Sequence, residues 1–157
     1  MLTLHWKQGS EKLDIWHADK ERSIDCSCLV RNEINGWRRV EQVVYSIPDE
    51  FPCQPRIFPA GKWTIYKPIE KRDDYTAPYF IPTDACQTLP VWKVKEGRYV
   101  HETCKMITDK GYGLHHSTSN TTLGCIKITN LDDLVALVDE INYMIYSGIY
   151  PVLIVEE

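Results

Sequence analysis

Two consecutive stretches near the C-terminus decide the fold: NLDDLVALVDEINYMIYSG, residues 130–148, and PVLIV, residues 151–155. In the first, apolar residues recur at the i, i+3, i+4, i+7 spacing of a helix that packs on a core. These residues are Leu131, Leu134, Val135, Val138, Ile141 and Ile145. Asn130 is the expected N-cap and Gly148 the expected C-terminal stop. The second stretch is continuously apolar, which predicts a central β-strand.

Upstream of this helix, the sequence predicts mostly strands. Apolar and polar residues alternate over Thr3–Lys7, Leu13–Trp16, Ser23–Val30 and Lys62–Lys67, as expected for strands with one buried face. Residues 68–90 are rich in charged and turn-forming residues and predict a long loop. The expected fold class is therefore mainly β (a β-rich α+β fold), with one main helix near the C-terminus.

Length and composition limit the protein classes. The chain has 157 residues, of which 43% are hydrophobic and 25% charged, so we expect a single globular domain over residues 1–157. No apolar run reaches the roughly 20 residues that a bilayer span requires. Trp6, Lys7 and Gln8 interrupt the N-terminus where a signal peptide needs an apolar run, so we expect synthesis in the cytoplasm and delivery by other means.

Charge and cysteine spacing argue against nucleic acid and metal as partners. The net charge is −4, and no basic stripe with interleaved aromatic residues indicates a nucleic-acid surface. Six cysteines occur at irregular spacings, and Cys26-x-Cys28 is the only close pair. A zinc site requires paired Cys-x-x-Cys or Cys/His clusters, so neither a metal nor another cofactor is expected.

The chemistry in the sequence centres on Cys125. Gly124 precedes it and permits a tight turn that brings backbone N–H groups and substrate close to the thiol. His115 and His116 precede it by ten and nine residues across a short polar loop, close enough for an imidazole to activate a nucleophilic thiol. Backbone N–H groups near Gly124 would then hold the oxyanion.

Several readings of this pattern remain open at the level of residues alone. Cysteine is often a small core residue, so Cys125 is also interpretable as structural. Adjacent strand residues point to opposite faces, so only one of His115 and His116 faces the thiol. No histidine follows His116, which excludes for Cys125 the papain-like order in which histidine follows cysteine.

Four segments together resemble the L,D-transpeptidase catalytic domain of the YkuD type. They are Phe58–Ile65 (Pro-x-Gly strand entry), Leu114-His115-His116, Thr122–Lys127 (Gly-Cys-Ile) and Gly148–Ile154, and the resemblance spans residues 56–155. The resemblance implies a β-sandwich or barrel with a closing helix.

This sequence departs from the family's pattern at three of these positions. Phe58 replaces a threonine, His116 replaces a glycine and Lys127 replaces an arginine. The loop between histidine and cysteine is also short, which resembles the compact branch that includes type VI secretion effectors and phage-associated proteins.

The resemblance implies acyl transfer on peptidoglycan stem peptides through a thioester. Cys125 would be the nucleophile, His115 the base and Gly124 part of the catalytic turn. The implied substrate-binding residues are His116, Ser117, Thr122, Lys127 and Tyr112. Either an amine or water would resolve the thioester, giving a transpeptidase, a D-amino-acid exchanger or an L,D-carboxypeptidase.

Partners and alternatives follow from the same resemblance. The expected substrate is peptidoglycan or a muropeptide, the expected site of action is the periplasm or cell wall, and an effector of this branch has a cognate immunity or delivery protein. Two other functions stay open: a catalytically silent module that binds a cell-wall peptide or protein, and a cysteine peptidase with other substrates.

Overall fold

The computed structural model describes residues 1–30, 50–52, 57–72, 76–95, 98–117, 121–122 and 124–157. Over these residues the chain is mainly β, with a nine-stranded sheet curled into a half-barrel and a C-terminal helix. The expected fold class is confirmed.

The strands begin within the first residues of the chain. In chain order they are β1 (Leu2–Lys7), β2 (Lys12–His17), β3 (Lys20–Ser27), β4 (Leu29–Val30), β5 (Glu50–Pro52), β6 (Gly61–Thr64) and β7 (Ile69–Glu70), followed by β8 (Tyr79–Pro82), β9 (Gln87–Lys95), β10 (Arg98–Asp109), β11 (Gly113–His116), β12 (Thr121–Thr122), β13 (Ile126–Ile128) and β14 (Val152–Glu156). The strands predicted at Thr3–Lys7, Leu13–Trp16 and Lys62–Lys67 are therefore present, with shifted ends.

The main sheet has the order β6-β14-β1-β2-β3-β13-β11-β8-β7. β14 is parallel to β1, β11 is parallel to β13, and the other neighbouring pairs are antiparallel. β14 lies between β6 and β1, so the last strand is paired on both sides, one position in from the edge of the sheet. Smaller sheets join β10, β9 and β5, and β12 with β4.

The chain that leaves β6, at one end of the curled sheet, contacts the chain that leaves β8, near the other end. Ile65, directly after β6, forms an antiparallel bridge with Thr83, directly after β8. The backbone N–H of Tyr66 donates to the Pro82 carbonyl at 2.9 Å. This closure fixes β8 on one side, and β8 in turn pairs with β11 on the other.

The predicted helix is α1, Leu131–Tyr146, and its ends lie where the sequence indicates. The Asn130 side chain accepts from the backbone N–H of Asp132 at 2.8 Å, which satisfies a donor that the helix leaves unpaired. Beyond the end of the helix, Gly148 has φ +85°, a conformation that favours glycine, and its N–H donates to the Ile145 carbonyl.

The face of α1 that packs on the sheet differs in part from the predicted one. The buried residues are Leu134, Leu137, Val138, Ile141 and Met144. Leu131 and Val135 are 43% and 39% exposed, so this part of the predicted stripe is wrong. Apolar residues cover a wider arc of the helix than the sheet can bury. The side that packs on the sheet is the one that includes Leu137 and Met144.

A charged contact ties α1 to the sheet. Glu140 forms an ion pair with Arg22 of β3, and its other oxygen lies 3.2 Å from the Nδ1 atom of His17 at the end of β2. Glu140 thus holds the middle of the helix to two strands.

The prediction of a long loop over residues 68–90 is wrong. β7, β8 and the start of β9 lie within it. β7 and β8 are short and β8 ends in a proline, so the segment lacks the long alternation that marks a strand in sequence. Its strands form because β11 and Ile65 supply hydrogen-bonding partners from distant parts of the chain.

In the described part of the chain, no helix combines the length and the apolar character needed to cross a membrane.

Candidate active site

The segments that carry the predicted histidine and cysteine are neighbouring strands. β11 and β13 pair in parallel, with Leu114 opposite Ile126 and His115 opposite Lys127. β8 flanks β11, and β3 flanks β13. The topology therefore places the two segments side by side, with Lys127 rather than Cys125 as the register partner of His115.

Alternation along these strands separates the core from the candidate site. Leu114 and Ile126 are fully buried in the core that α1 covers. His115 and Lys127 point to the opposite face of the sheet, because side chains alternate along a strand and register partners share a face. Cys125 directly precedes β13 and follows the turn at Gly124, two residues before Lys127.

The Cys125 thiol is half-buried, and its Sγ–H points to the Gly111 carbonyl at 3.9 Å. Burial raises the pKa of the Cys125 thiol above its ordinary value, while a hydrogen bond with the Gly113 backbone and the charge of Lys127 lower it. The thiol is therefore protonated at neutral pH and needs a base before it can attack.

Gly124 has φ +125°, a backbone conformation that side-chain-bearing residues rarely adopt. Its carbonyl accepts a hydrogen bond from the Sγ–H of Cys28 at 3.7 Å. Burial, with a smaller contribution from the neighbouring Cys125, raises the pKa of Cys28 to about 12. Cys28 thus supports the turn before Cys125 as a neutral thiol, a role that its position in the sequence does not indicate.

Gly113 is a second glycine that the site requires and that the sequence analysis did not single out. A Cβ atom there would lie 2.5 Å from the Ile81 carbonyl oxygen and 2.5 Å from Cζ of Phe80. The Phe80 ring occupies this space and lies 6.5 Å from the His115 ring, centroid to centroid. Only a residue without a side chain lets the Phe80 ring of β8 pack against β11.

His115 is 2% exposed, and its Nδ1 atom lies 3.0 Å from the His116 carbonyl. A carbonyl oxygen only accepts hydrogen bonds, so Nδ1 carries the proton and donates. In the neutral ring the lone pair then lies on Nε2, which is the nitrogen able to take a proton. The structure thus assigns the basic nitrogen of His115.

His116 is half-buried, and its Nδ1 donates to the Ile128 carbonyl at 2.9 Å. This hydrogen bond links the ends of β11 and β13. His116 points to the face of Leu114 and Ile126, opposite to that of His115, as alternation requires.

Lys127 is a charged residue in a buried position, since only 7% of it is exposed. Its register partners are His115 on β11 and Ser27 on β3. A lysine on a strand is usually solvated, so its burial was not apparent from the sequence.

The other predicted substrate-binding residues lie in different settings. Tyr112 is 3% exposed, its ring packs edge-on to Phe58 at 5.5 Å, and its hydroxyl accepts from Nε2 of Gln87 at 2.7 Å. Ser117 is half-buried directly after β11. Thr122 lies in β12, opposite Val30 of β4. Their roles in binding stay predictions.

Among the residues that the structure describes, no group of three or more His, Cys, Asp or Glu side chains is arranged to hold a metal ion. Comparison of the chain with protein-family models, curated proteins and solved structures finds no match.

Proposed function

We propose that the protein is a cysteine acyltransferase that acts on peptidoglycan stem peptides through a thioester at Cys125. One observation carries most of the proposal: the parallel pairing of β11 with β13 places His115 on the strand beside the segment that begins with Cys125. The resemblance over residues 56–155 supplies the substrate class.

In the proposed reaction, His115 acts as the base and Cys125 as the nucleophile. The Nε2 atom of His115 takes the thiol proton, and the Cys125 thiolate attacks the carbonyl carbon of an L,D peptide bond. The imidazolium returns the proton to the departing amine as the C–N bond breaks, which leaves a thioester. An acceptor amine or water then attacks the thioester and releases the thiol.

The turn at Gly124 favours this reaction. Its positive φ favours glycine, which has no side chain, so the substrate carbonyl can approach the sulfur and the neighbouring backbone N–H groups. We further propose action in the periplasm or cell wall after delivery, with a cognate immunity or delivery protein as partner.

A second candidate is a catalytically silent module that binds the same cell-wall peptides. One observation favours it: burial raises the pKa of the Cys125 thiol, which a silent site tolerates and a nucleophile must overcome. The two candidates differ in whether a covalent intermediate forms.

Incubation with purified tetrapeptide muropeptides and a free D-amino acid, followed by mass analysis, separates the candidates. We expect loss or exchange of the terminal D-alanine by the wild type and by Cys86→Ala, whose thiol is exposed and outside the site. We expect none with Cys125→Ala. Binding of the muropeptide without turnover by folded wild type would contradict the proposal in favour of the silent module. Cleavage of ordinary L-peptides alone would indicate a cysteine peptidase.

A further inference from the structure

The C-terminal end of α1 leaves two aromatic side chains in solvent. Tyr146 is 93% exposed and Tyr143 is 68% exposed. Because they are three residues apart in the helix, their side chains lie on the same side of it, about one turn apart. Single exposed apolar side chains are ordinary on a protein surface, whereas a contiguous group of them marks an interaction surface.

The exposed surface continues beyond the helix. The backbone N–H of Ile149 donates to the Met144 carbonyl at 3.0 Å, which folds the chain back onto the last turn of α1. The ring of Tyr150 then packs edge-on to the ring of Tyr66, with 6.0 Å between their centroids. Both rings and the Ile149 side chain are exposed. We call this set of residues the tyrosine face: Tyr66, Tyr143, Tyr146, Ile149 and Tyr150.

The charge that α1 brings to the tyrosine face is negative. The helix contains acidic residues but no Lys, Arg or His, so no side chain of its own offsets the partial negative charge of its last carbonyls. Asp139 is exposed and lies one turn before Tyr143 on the same side of the helix. Glu140 has Arg22 and His17 as partners, whereas Asp139 has no ion-pair partner among the residues that the structure describes.

Aromatic rings and negative charge together favour a cationic occupant. An ammonium or guanidinium group is attracted by the face of a tyrosine ring, by the carbonyls at a helix C-terminus and by a carboxylate. A second copy of the chain fits less well, because a two-fold contact places each patch against itself and brings the acids together. An anionic lipid surface is repelled by the same charges.

We propose that the tyrosine face docks a cationic protein segment, whose Lys or Arg side chains lie against Tyr143 and Tyr146 at the end of α1. Lys67, next to Tyr66, is the one cationic neighbour of the face along the chain, so the partner's positive groups belong at the helix end. Cys125 takes no part in this contact, which is therefore independent of the proposed function.

NMR titration of the ¹⁵N-labelled full chain with an acetylated, amidated peptide of six Gly-Arg repeats tests the contact. We expect the largest amide shift changes at residues 143–150 and at Tyr66, and weaker binding as salt is added, because salt screens exposed charges. An uncharged peptide of six Gly-Gln repeats should leave these amides unchanged. Equal binding of the two peptides, no binding of the arginine peptide, or shift changes centred elsewhere would overturn the proposal.

Substitutions on the face separate the contribution of the rings from that of the charge. The double variant Tyr143→Ser/Tyr146→Ser is expected to bind the arginine peptide about tenfold more weakly, since each exposed ring contributes about two- to fivefold. Tyr143→Phe/Tyr146→Phe keeps both rings and should bind like the wild type. Asp139→Lys keeps the rings, reverses one charge and should also weaken binding about tenfold. This variant carries the test if the double serine variant fails to fold.

Glu11→Lys is the matched control for charge, because Glu11 is exposed between β1 and β2, outside the face. It should bind nearly as well as the wild type. Equal losses in Asp139→Lys and Glu11→Lys would overturn the proposal, since binding would then follow net charge alone. Full affinity in a folded double serine variant would do the same.

Two other occupants of the face have their own signatures. Concentration-dependent self-association in sedimentation experiments, lost in the double serine variant, would show that a second copy covers the face. Binding to phosphatidylglycerol vesicles, lost in the same variant, would show that a membrane surface does. Either result would overturn the proposal of a cationic protein partner.

Discussion

His115 and Lys127 are register partners in the parallel pairing of β11 and β13, and both are buried on the sheet face opposite to that of Leu114 and Ile126. An imidazole and a buried ammonium group thus share one face of the sheet, and Cys125 directly precedes β13. This arrangement supports an activated thiol more strongly than the spacing of histidine and cysteine in the sequence.

Separate alanine substitutions of His115 and His116 test which imidazole is the base. We expect His115→Ala to lower muropeptide turnover at neutral pH by about 10²- to 10⁴-fold, the usual contribution of a general base. The loss should shrink at alkaline pH, where the thiolate forms without a base. His116→Ala removes the hydrogen bond to Ile128, and we expect a smaller loss without this pH dependence. The reverse order of the two variants would assign His116 as the base.

Gly113→Ala tests the packing of Phe80 against β11. The added Cβ would lie 2.5 Å from the Ile81 carbonyl oxygen and 2.5 Å from Cζ of Phe80, so either β8 or the Phe80 ring must move. We expect a loss of about 2 kcal/mol in the free energy of unfolding, measured by denaturant titration, together with slower labelling of Cys125.

The control is Gly9→Ala, where φ is +84° but no atom lies within 4 Å of the new Cβ. It should lose only about 1 kcal/mol from backbone strain and leave Cys125 labelling unchanged. Equal stability losses in the two variants would show that the contact with Phe80 and Ile81 is not what requires glycine.

Asn130→Ala tests the cap of the helix that covers β11 and β13. The side chain accepts from the backbone N–H groups of Asp132 and Asp133 at 2.8 and 3.4 Å. We expect a loss of about 1 kcal/mol in unfolding free energy, and near wild-type stability in Asn130→Ser, which keeps a capping oxygen. Equal stability of the alanine and serine variants would show that the cap contributes nothing.

Parts of the fold were readable from the sequence because local patterns determine them. Asn130, Ile141 and Gly148 mark the start, the buried face and the end of α1, and each signal acts within a few residues. β7 and β8 were missed because their pairing partners, not their own alternation, make them strands.

The sequence also predicted some residues of the candidate site and missed others. Cys125 and His115 carry recognisable chemistry, so the sequence singles them out. The burial of Lys127 and the glycine requirement at Gly113 depend on strand register and on the Phe80 ring, which no short-range pattern encodes. The ring contact of Tyr112 with Phe58 within the core likewise depends on the fold, and its implied role in substrate binding stays a prediction.

Alkaline pH should destabilise the fold through its buried thiols. Burial raises the pKa of Cys26 to about 12, so the folded state keeps its proton where the unfolded chain has lost it. Between the ordinary thiol pKa of about 8.5 and the raised value, the unfolded state binds fewer protons, and stability falls as pH rises.

Urea titrations from neutral pH to about pH 11 measure this loss for wild type and Cys26→Ala. The pKa values of Cys26 and Cys28 are both strongly raised, so each thiol contributes to the loss of stability at alkaline pH. We therefore expect the free energy of unfolding of Cys26→Ala to fall between neutral and alkaline pH by roughly half as much as that of the wild type. Cys86→Ala, at an exposed position, should follow the wild type. Identical pH slopes for all three proteins would show that burial of Cys26 does not hold its proton.

The central claim is that Cys125 is a nucleophile that forms an acyl-enzyme. The most direct test is the intact mass of the protein after incubation with a carbapenem, with the adduct located by peptide mapping. The account predicts one acyl adduct on Cys125, kept in Cys86→Ala and absent from Cys125→Ala. No adduct on the folded protein, or slow labelling of thiols in proportion to their exposure, would contradict it.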